Sequence, residues 1–181
     1  MAMEDPAKLL NAKSQREGWS MRSDTALQFA APELNALRDI WTEKAGLAGG
    51  LPSRADFDAR TLKPFLRHVS IVERAVNPAG RYSYRFRFYG SALAQRFGEQ
   101  TGQFIEMSIP PDRLPRWIAG YDAVLEAGKP MRFLSYFEIP RISYLNGESF
   151  SAPLANGGRA PTTILAATYF TPKVELQADV G

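Results

Sequence analysis

The sequence predicts an α+β domain in which helices pack on an antiparallel sheet, and three observations predict it. Tyr82, Tyr84, Phe86 and Phe88 alternate with Arg81, Ser83, Arg85 and Arg87, the period of a half-buried strand. Turn-forming runs separate this strand from others: Asn77-Pro78-Ala79-Gly80, Asn146-Gly147 and Asn156-Gly157-Gly158. Between the strand groups, Leu114, Trp117, Ile118, Tyr121, Val124 and Leu125 recur at helical spacing. Helix and strand signals are thus segregated, as α+β packing requires.

In chain order, residues 1–30 mix charges, small polar residues and isolated apolar ones, and read as a flexible tail. Pro32 suits a first helical position, Glu33 favours the positive helix end, and Leu34, Leu37, Ile40 and Trp41 form an apolar stripe, predicting an amphipathic helix that ends near Gly46. Gly49, Gly50 and Pro52 stop it. Ser53 and Asp58 read as turn or cap residues, and Leu62, Phe65 and Leu66 as a short helical turn before a strand over 69–74. The turn at 77–80 makes that strand the antiparallel partner of 81–89. Gly90 breaks the alternation, and Leu93 and Phe97 switch to helical spacing up to Gly98. Gly102, Pro110 and Pro111 divide the next segment into short helices and turns. Asp112 can cap the long helix, which Gly128 and Pro130 stop. Strands over 131–139, 148–154 and 162–170 finish the domain, with reversals expected at Asn146-Gly147 and Asn156-Gly158, and 173–181 reads as a polar tail. The domain therefore spans 31–172, within the size of one core.

Composition narrows the chemistry. Zero cysteine among 181 residues removes disulfides, thiolate nucleophiles and cysteine-based zinc sites. The net charge is only +3, and the pI of about 9.3 reflects how little titrates near neutrality rather than a basic surface. No run approaches 18 apolar residues and the first residues lack a signal-peptide core, so the expected location is the cytoplasm, with no membrane contact.

The run LPSRADFDARTLKPFLRHVSIVE, followed by YRFRFYGSALAQRFGEQTGQFIEM, resembles the opening of PAS domains, in particular a bacterial subgroup that often occurs as short stand-alone proteins. The resemblance covers about residues 31–172. It implies a PAS-like five-stranded antiparallel sheet with helices on one face, preceded by the amphipathic helix, and a small cavity that in the wider family holds a ligand, a chromophore or nothing. The implied role is a cytoplasmic sensory or regulatory module in signal transduction, not an enzyme, acting on a signalling partner protein and forming a homodimer. Flavin and coumarate photochemistry of the family's covalent type needs a pocket cysteine, which this chain lacks. Haem is disfavoured because the 112–127 helix has no histidine, leaving His68 as the sole candidate ligand.

The candidate ligand pocket is Tyr84, Phe86, Phe88, Phe97, Trp117, Tyr121, Phe133 and Phe137, which can surround a flat or apolar ligand or simply fill the core. Leu34, Leu37 and Trp41 on the first helix and Arg85 and Arg87 on the sheet are the expected dimer or partner surface. Arg81, Arg85 and Arg87 can alternatively hold an anion or nucleic-acid phosphates, a reading disfavoured by the small size of the cluster. Asp56, Asp58 and Glu126 read as capping or surface carboxylates, and His68 as a hydrogen-bonded structural histidine. No catalytic residue and no metal site is expected. The alternatives are a ketosteroid-isomerase-like enzyme, with Tyr121 and Glu138 about an apolar cavity, and an RNA- or DNA-binding accessory protein.

Overall fold

A computed structural model describes residues 5–139, 142–157 and 160–172. Six strands form one antiparallel sheet in the order β1-β4-β5-β6-β2-β3. These are β1 (Met21–Asp24), β2 (Val69–Val76), β3 (Tyr82–Tyr89), β4 (Met131–Ile139), β5 (Ile142–Leu154) and β6 (Thr163–Pro172). Strands β2 to β6 form five adjacent strands of this sheet, with the 69–76 and 82–89 hairpin paired as predicted. Helices α4 (Ser91–Phe97), α5 (Ile105–Ser108) and α6 (Leu114–Ala127) lie between β3 and β4 in sequence and pack on one face. No described helix is long and apolar enough to cross a membrane.

From Asp5 onward, the stretch read as a flexible tail forms a helix and a strand instead. Asp5 accepts a hydrogen bond from the Ala7 N–H and caps α1 (Pro6–Glu17), which ends at Gly18 in the left-handed region. Ala7, Leu10 and Ser14 form its narrow buried stripe, and Ala7 and Leu10 join the core beneath α6. Strand β1 then extends the sheet beyond β4, pairing Met21 with Ser135 and Asp24 with Arg132. Asn11 fixes α1 to β1 by accepting from the Ser23 N–H and donating to the Ser23 carbonyl, each at 2.8 Å. Tertiary contact, not local propensity, orders this segment.

The opposite face of the sheet is covered by α2 (Pro32–Ala48) and the short α3 (Ala59–Leu62). Leu34, Leu37 and Trp41 of α2 pack against Phe150, Ala152, Leu154, Leu165 and Ala167 of β5 and β6. The stripe predicted as a dimer surface is therefore spent on the chain's own sheet. A carboxylate secures this docking. Glu148 accepts from the N–H groups of Ala30 and Ala31 at the start of α2, and from Arg132 Nε at 2.8 Å. Arg132 also donates to Asp24 at 2.9 Å, so β1, β4, β5 and α2 meet in one polar cluster.

Two other readings change. Asn146-Gly147 is not a reversal: it lies inside β5, paired with Tyr136 and Ser135 on one side and with Thr171 and Phe170 on the other. Both ladders satisfy its backbone, which outweighs its turn preference. Helix α6 starts one position later than expected, with Arg113 rather than Asp112 at its N-cap and no side-chain cap. The 173–181 tail lies outside the described residues.

Candidate functional site

Between the sheet and the α4–α6 layer lies a cavity of about 80 Å³. Strand alternation builds its floor. On β5, Phe150 and Ala152 face α2, so Ser149 and Ser151 face the cavity. Thr168 on β6, Ser70 on β2 and Ser135 on β4 join them, and the Ser149 and Thr168 hydroxyls bond at 2.8 Å. The walls are apolar. Helix α6 contributes Trp117 and Tyr121, α4 contributes Leu93 and Phe97, and the sheet contributes Phe86, Tyr89, Phe133 and Phe170. Their rings are mutually packed, with centroids 4.9 Å apart for Phe86–Tyr89, 5.9 Å for Trp117–Tyr121 and 5.7 Å for Phe97–Phe170. Gly120 leaves room on α6 opposite Phe133, whose Cε1 would stand 3.4 Å from an added Cβ.

Burial governs the titratable groups here. It pushes the phenols of Tyr121 and Tyr89 well above their ordinary range, so both remain neutral donors. Arg116, in the first turn of α6, is the charged side chain among the described lining residues. Burial, reinforced by nearby Arg113, pulls its guanidinium down from its usual value. No described lining residue is a carboxylate or a histidine, and the described residues contain no cluster suited to a metal ion.

Of the predicted pocket residues, Phe86, Phe97, Trp117, Tyr121 and Phe133 line this cavity. Tyr84 does not: its ring packs behind Tyr121 at 4.9 Å and its hydroxyl donates to Asp122. Phe88 lies against the α2 cluster on the other face, because the β2–β3 register slips between Ile71–Phe88 and Val72–Phe86. That bulge carries Arg87 as an extra residue and reverses the alternation. Tyr82, beyond the core, is exposed. The side chains of Phe137 and Glu138 lie outside the described residues.

The arginine face of β3 is partly neutralised within the chain. Arg85 and Arg87 approach the same Glu73 carboxylate at 3.3 and 3.7 Å. His68 is tied to the Thr168 carbonyl at 3.0 Å and stacked on Tyr169. Asp56 forms a capping box with Ser53, and Asp58 accepts from the Thr61 N–H. These bonds hold both carboxyls below their ordinary values, consistent with capping.

The hydroxyl floor and Arg116 were not among the predicted pocket residues. Period-2 alternation marks Ser149 and Ser151 as sharing a face, but covered strands bury both faces, and the polar face reads as solvent-facing.

No protein-family model matches the chain, and no curated protein does. Among solved structures, it is similar to one described as an RNA-binding light-oxygen-voltage receptor, at 13% identity and a TM-score of 0.41, over 68% of this chain and 36% of that one. A light-oxygen-voltage domain studied with a flavin analogue matches at 15% identity and a TM-score of 0.41, over 62% of this chain and 82% of that one. The light-state structure of the blue-light photoreceptor Aureochrome1 LOV matches at 13% identity and 0.38, over 64% and 88%. This chain thus spans about a third of the length of the first of these.

Proposed function

We infer that the protein is a PAS-type sensory module whose cavity takes a small molecule and whose output passes to a partner protein. The observation that carries this reading is the cavity itself: aromatic walls above a hydroxyl floor, the arrangement of a small-molecule site. A volume of about 80 Å³ is well below the roughly 300 Å³ at which drug-sized pockets begin. A tricyclic flavin does not fit this arrangement, and the chain lacks a cysteine for covalent flavin chemistry. The ligand is therefore small.

The sheet offers a path from cavity to surface. Ser149 and Ser151 touch the cavity while their neighbours Glu148 and Phe150 hold α2 on the reverse face. A ligand that binds one packing of β5 more tightly shifts the docking of α2 by that difference in affinity. This route replaces an α2 stripe that reaches a second copy directly. The enzyme alternative rests on Tyr121, which lines the cavity, and on Glu138, whose side chain lies outside the described residues. The nucleic-acid alternative rests on Arg81, Arg85 and Arg87, of which Arg85 and Arg87 already share Glu73.

The test uses native mass spectrometry of the freshly purified chain and xenon, a neutral probe of dry cavities, followed by protein NMR. We expect a reproducible added mass or saturable xenon shifts at Trp117 and Tyr121. Gly120→Leu, which places a side chain against Phe133, abolishes them. Absence of both signals in the wild-type protein rejects the cavity reading.

A further inference from the structure

We propose that the cavity takes a neutral alcohol of about three non-hydrogen atoms, its oxygen on the hydroxyl floor and its carbons against the aromatic walls. This rests on reading the cavity as a ligand site. The first observation is a set of hydroxyls without partners. Ser70 and Ser151 line the cavity at 6% and 5% exposure, and neither hydroxyl bonds to any described residue. The phenol hydroxyls of Tyr89 and Tyr121, buried in the same lining, bond to none either. Buried polar groups are nearly always bonded, and an unmet one is costly. These four side chains therefore point to an occupant that hydrogen-bonds.

The register gathers them. Ser70 on β2 pairs with Ala166 on β6, and Ala166 pairs with Ser151 on β5. The short Ala166 side chain leaves room between two hydroxyls, one pleat along from the bonded Ser149–Thr168 pair. Size and lining then select the occupant. About 80 Å³ is near half of the roughly 150 Å³ that holds the six carbons of benzene. Two or three waters would fill the same space, but those beside Phe86, Trp117 and Phe133 would find too few of the polar partners a buried water needs. A two-carbon alcohol suits both halves: its hydroxyl donates and accepts, as each floor hydroxyl does, and its carbons meet the rings. An ion suits neither. Arg116 already has Asp112 among its electrostatic neighbours, so a charged occupant would lose its hydration with no counter-charge held in reserve. Three atoms at the ceiling for very small ligands set a Kd no tighter than about 0.5 mM.

The experiment is an amide NMR titration of the full chain with ethanol, sodium acetate and 1-pentanol, with xenon measured in parallel. We expect saturable millimolar ethanol shifts at Ser70, Ser151 and the Trp117 indole, with acetate and pentanol at least about tenfold weaker. The double variant Ser70→Ala, Ser151→Ala removes two unpartnered hydroxyls, so it should fold at least as stably as the parent. It should weaken ethanol by about fivefold or more while xenon binding persists, because the walls and the space remain. Tyr121→Phe keeps the ring, removes one more hydroxyl and should weaken ethanol by about threefold. Wild-type ethanol affinity in both variants, or acetate or pentanol binding as tightly as ethanol, overturns the inference. Xenon shifts without ethanol shifts also overturn it and leave the cavity reading standing. Absence of xenon shifts and of added mass rejects the cavity reading itself.

Discussion

Gly90 is held by contact rather than by conformation. Its φ of −67° and ψ of 150° suit any residue, but a Cβ there would lie 2.6 Å from the Arg67 carbonyl carbon and overlap the carbonyl oxygens of both Leu66 and Arg67. Its N–H donates to the Val69 carbonyl at 2.8 Å, so the two segments cannot part without losing that bond. Gly90→Ala is therefore expected to cost about 3 kcal/mol. A lowered urea midpoint with unchanged slope would show this, and a wild-type midpoint would refute it. Tyr84 makes a second residue-scale case. Burial, then the hydrogen bond to Asp122, pushes its phenol above the ordinary value of 10.0, and burial does the same for Tyr89 and Tyr121. Above about pH 10 the unfolded chain releases phenolic protons that the folded chain keeps. The contribution of these groups is thus constant below about pH 10 and falls above it, by about 1.4 kcal/mol per pH unit for each tyrosine. Tyr84→Phe is expected to lose about 1–2 kcal/mol at neutral pH by stranding Asp122. It should also flatten the alkaline decline by one tyrosine's share. An identical slope between about pH 10 and 11 in the variant and the parent would contradict the assignment.

At the scale of elements, the docking of α2 depends on a residue distant in sequence. Glu148 on β5 receives N–H groups from Ala30 and Ala31 together with the Arg132 guanidinium, and its carboxylate is mostly buried. Glu148→Gln keeps the shape but removes the charge from the helix N-terminus and from Arg132. We expect α2 amides to exchange at least about tenfold faster, equivalent to roughly 1.4 kcal/mol of local opening, while β2 and β6 change little. Uniform acceleration would mean that Glu148 supports the whole fold and not the docking of α2. The same elements show what the sequence disclosed. The β2–β3 hairpin, α4, α6 and the closing strands were legible because their apolar periods are long and their breakers sharp. Helix α1 was harder, since only Ala7, Leu10 and Ser14 are buried, a stripe too sparse to stand out. Its ends were nonetheless marked by Asp5-Pro6 and Gly18. The β1 run MRSD has no apolar alternation, and it is a strand because β4 offers it an edge. In the cavity, five aromatics followed from the alternation and the helical period. Phe88 did not, because a bulge one residue earlier inverted its face.

At the scale of the molecule, the sheet lies between two helical layers, with α1, α4, α5 and α6 on one face and α2 and α3 on the other. This arrangement changes what α2 can do. Leu34 and Leu37 are fully buried, and the Trp41 indole N–H donates to the Pro153 carbonyl at 3.2 Å. In an α2 held by its own sheet, these residues belong to folding and not to assembly. Each large apolar side chain in such a position stabilises the fold by roughly 1.5–3 kcal/mol, and a charge in its place adds a desolvation cost. Against a total stability of about 5–15 kcal/mol, two such changes remove most of the margin. The double variant Leu37→Asp, Trp41→Asp is therefore expected to lose cooperative unfolding and near-ultraviolet dichroism rather than to yield a folded, smaller species. Light scattering and calorimetry on one preparation separate these outcomes. A variant that keeps its melting transition while its mass falls by half would place the α2 stripe between two copies of the chain. It would also require the contacts of α2 with Phe150 and Leu165 to be dispensable, against the burial of both residues.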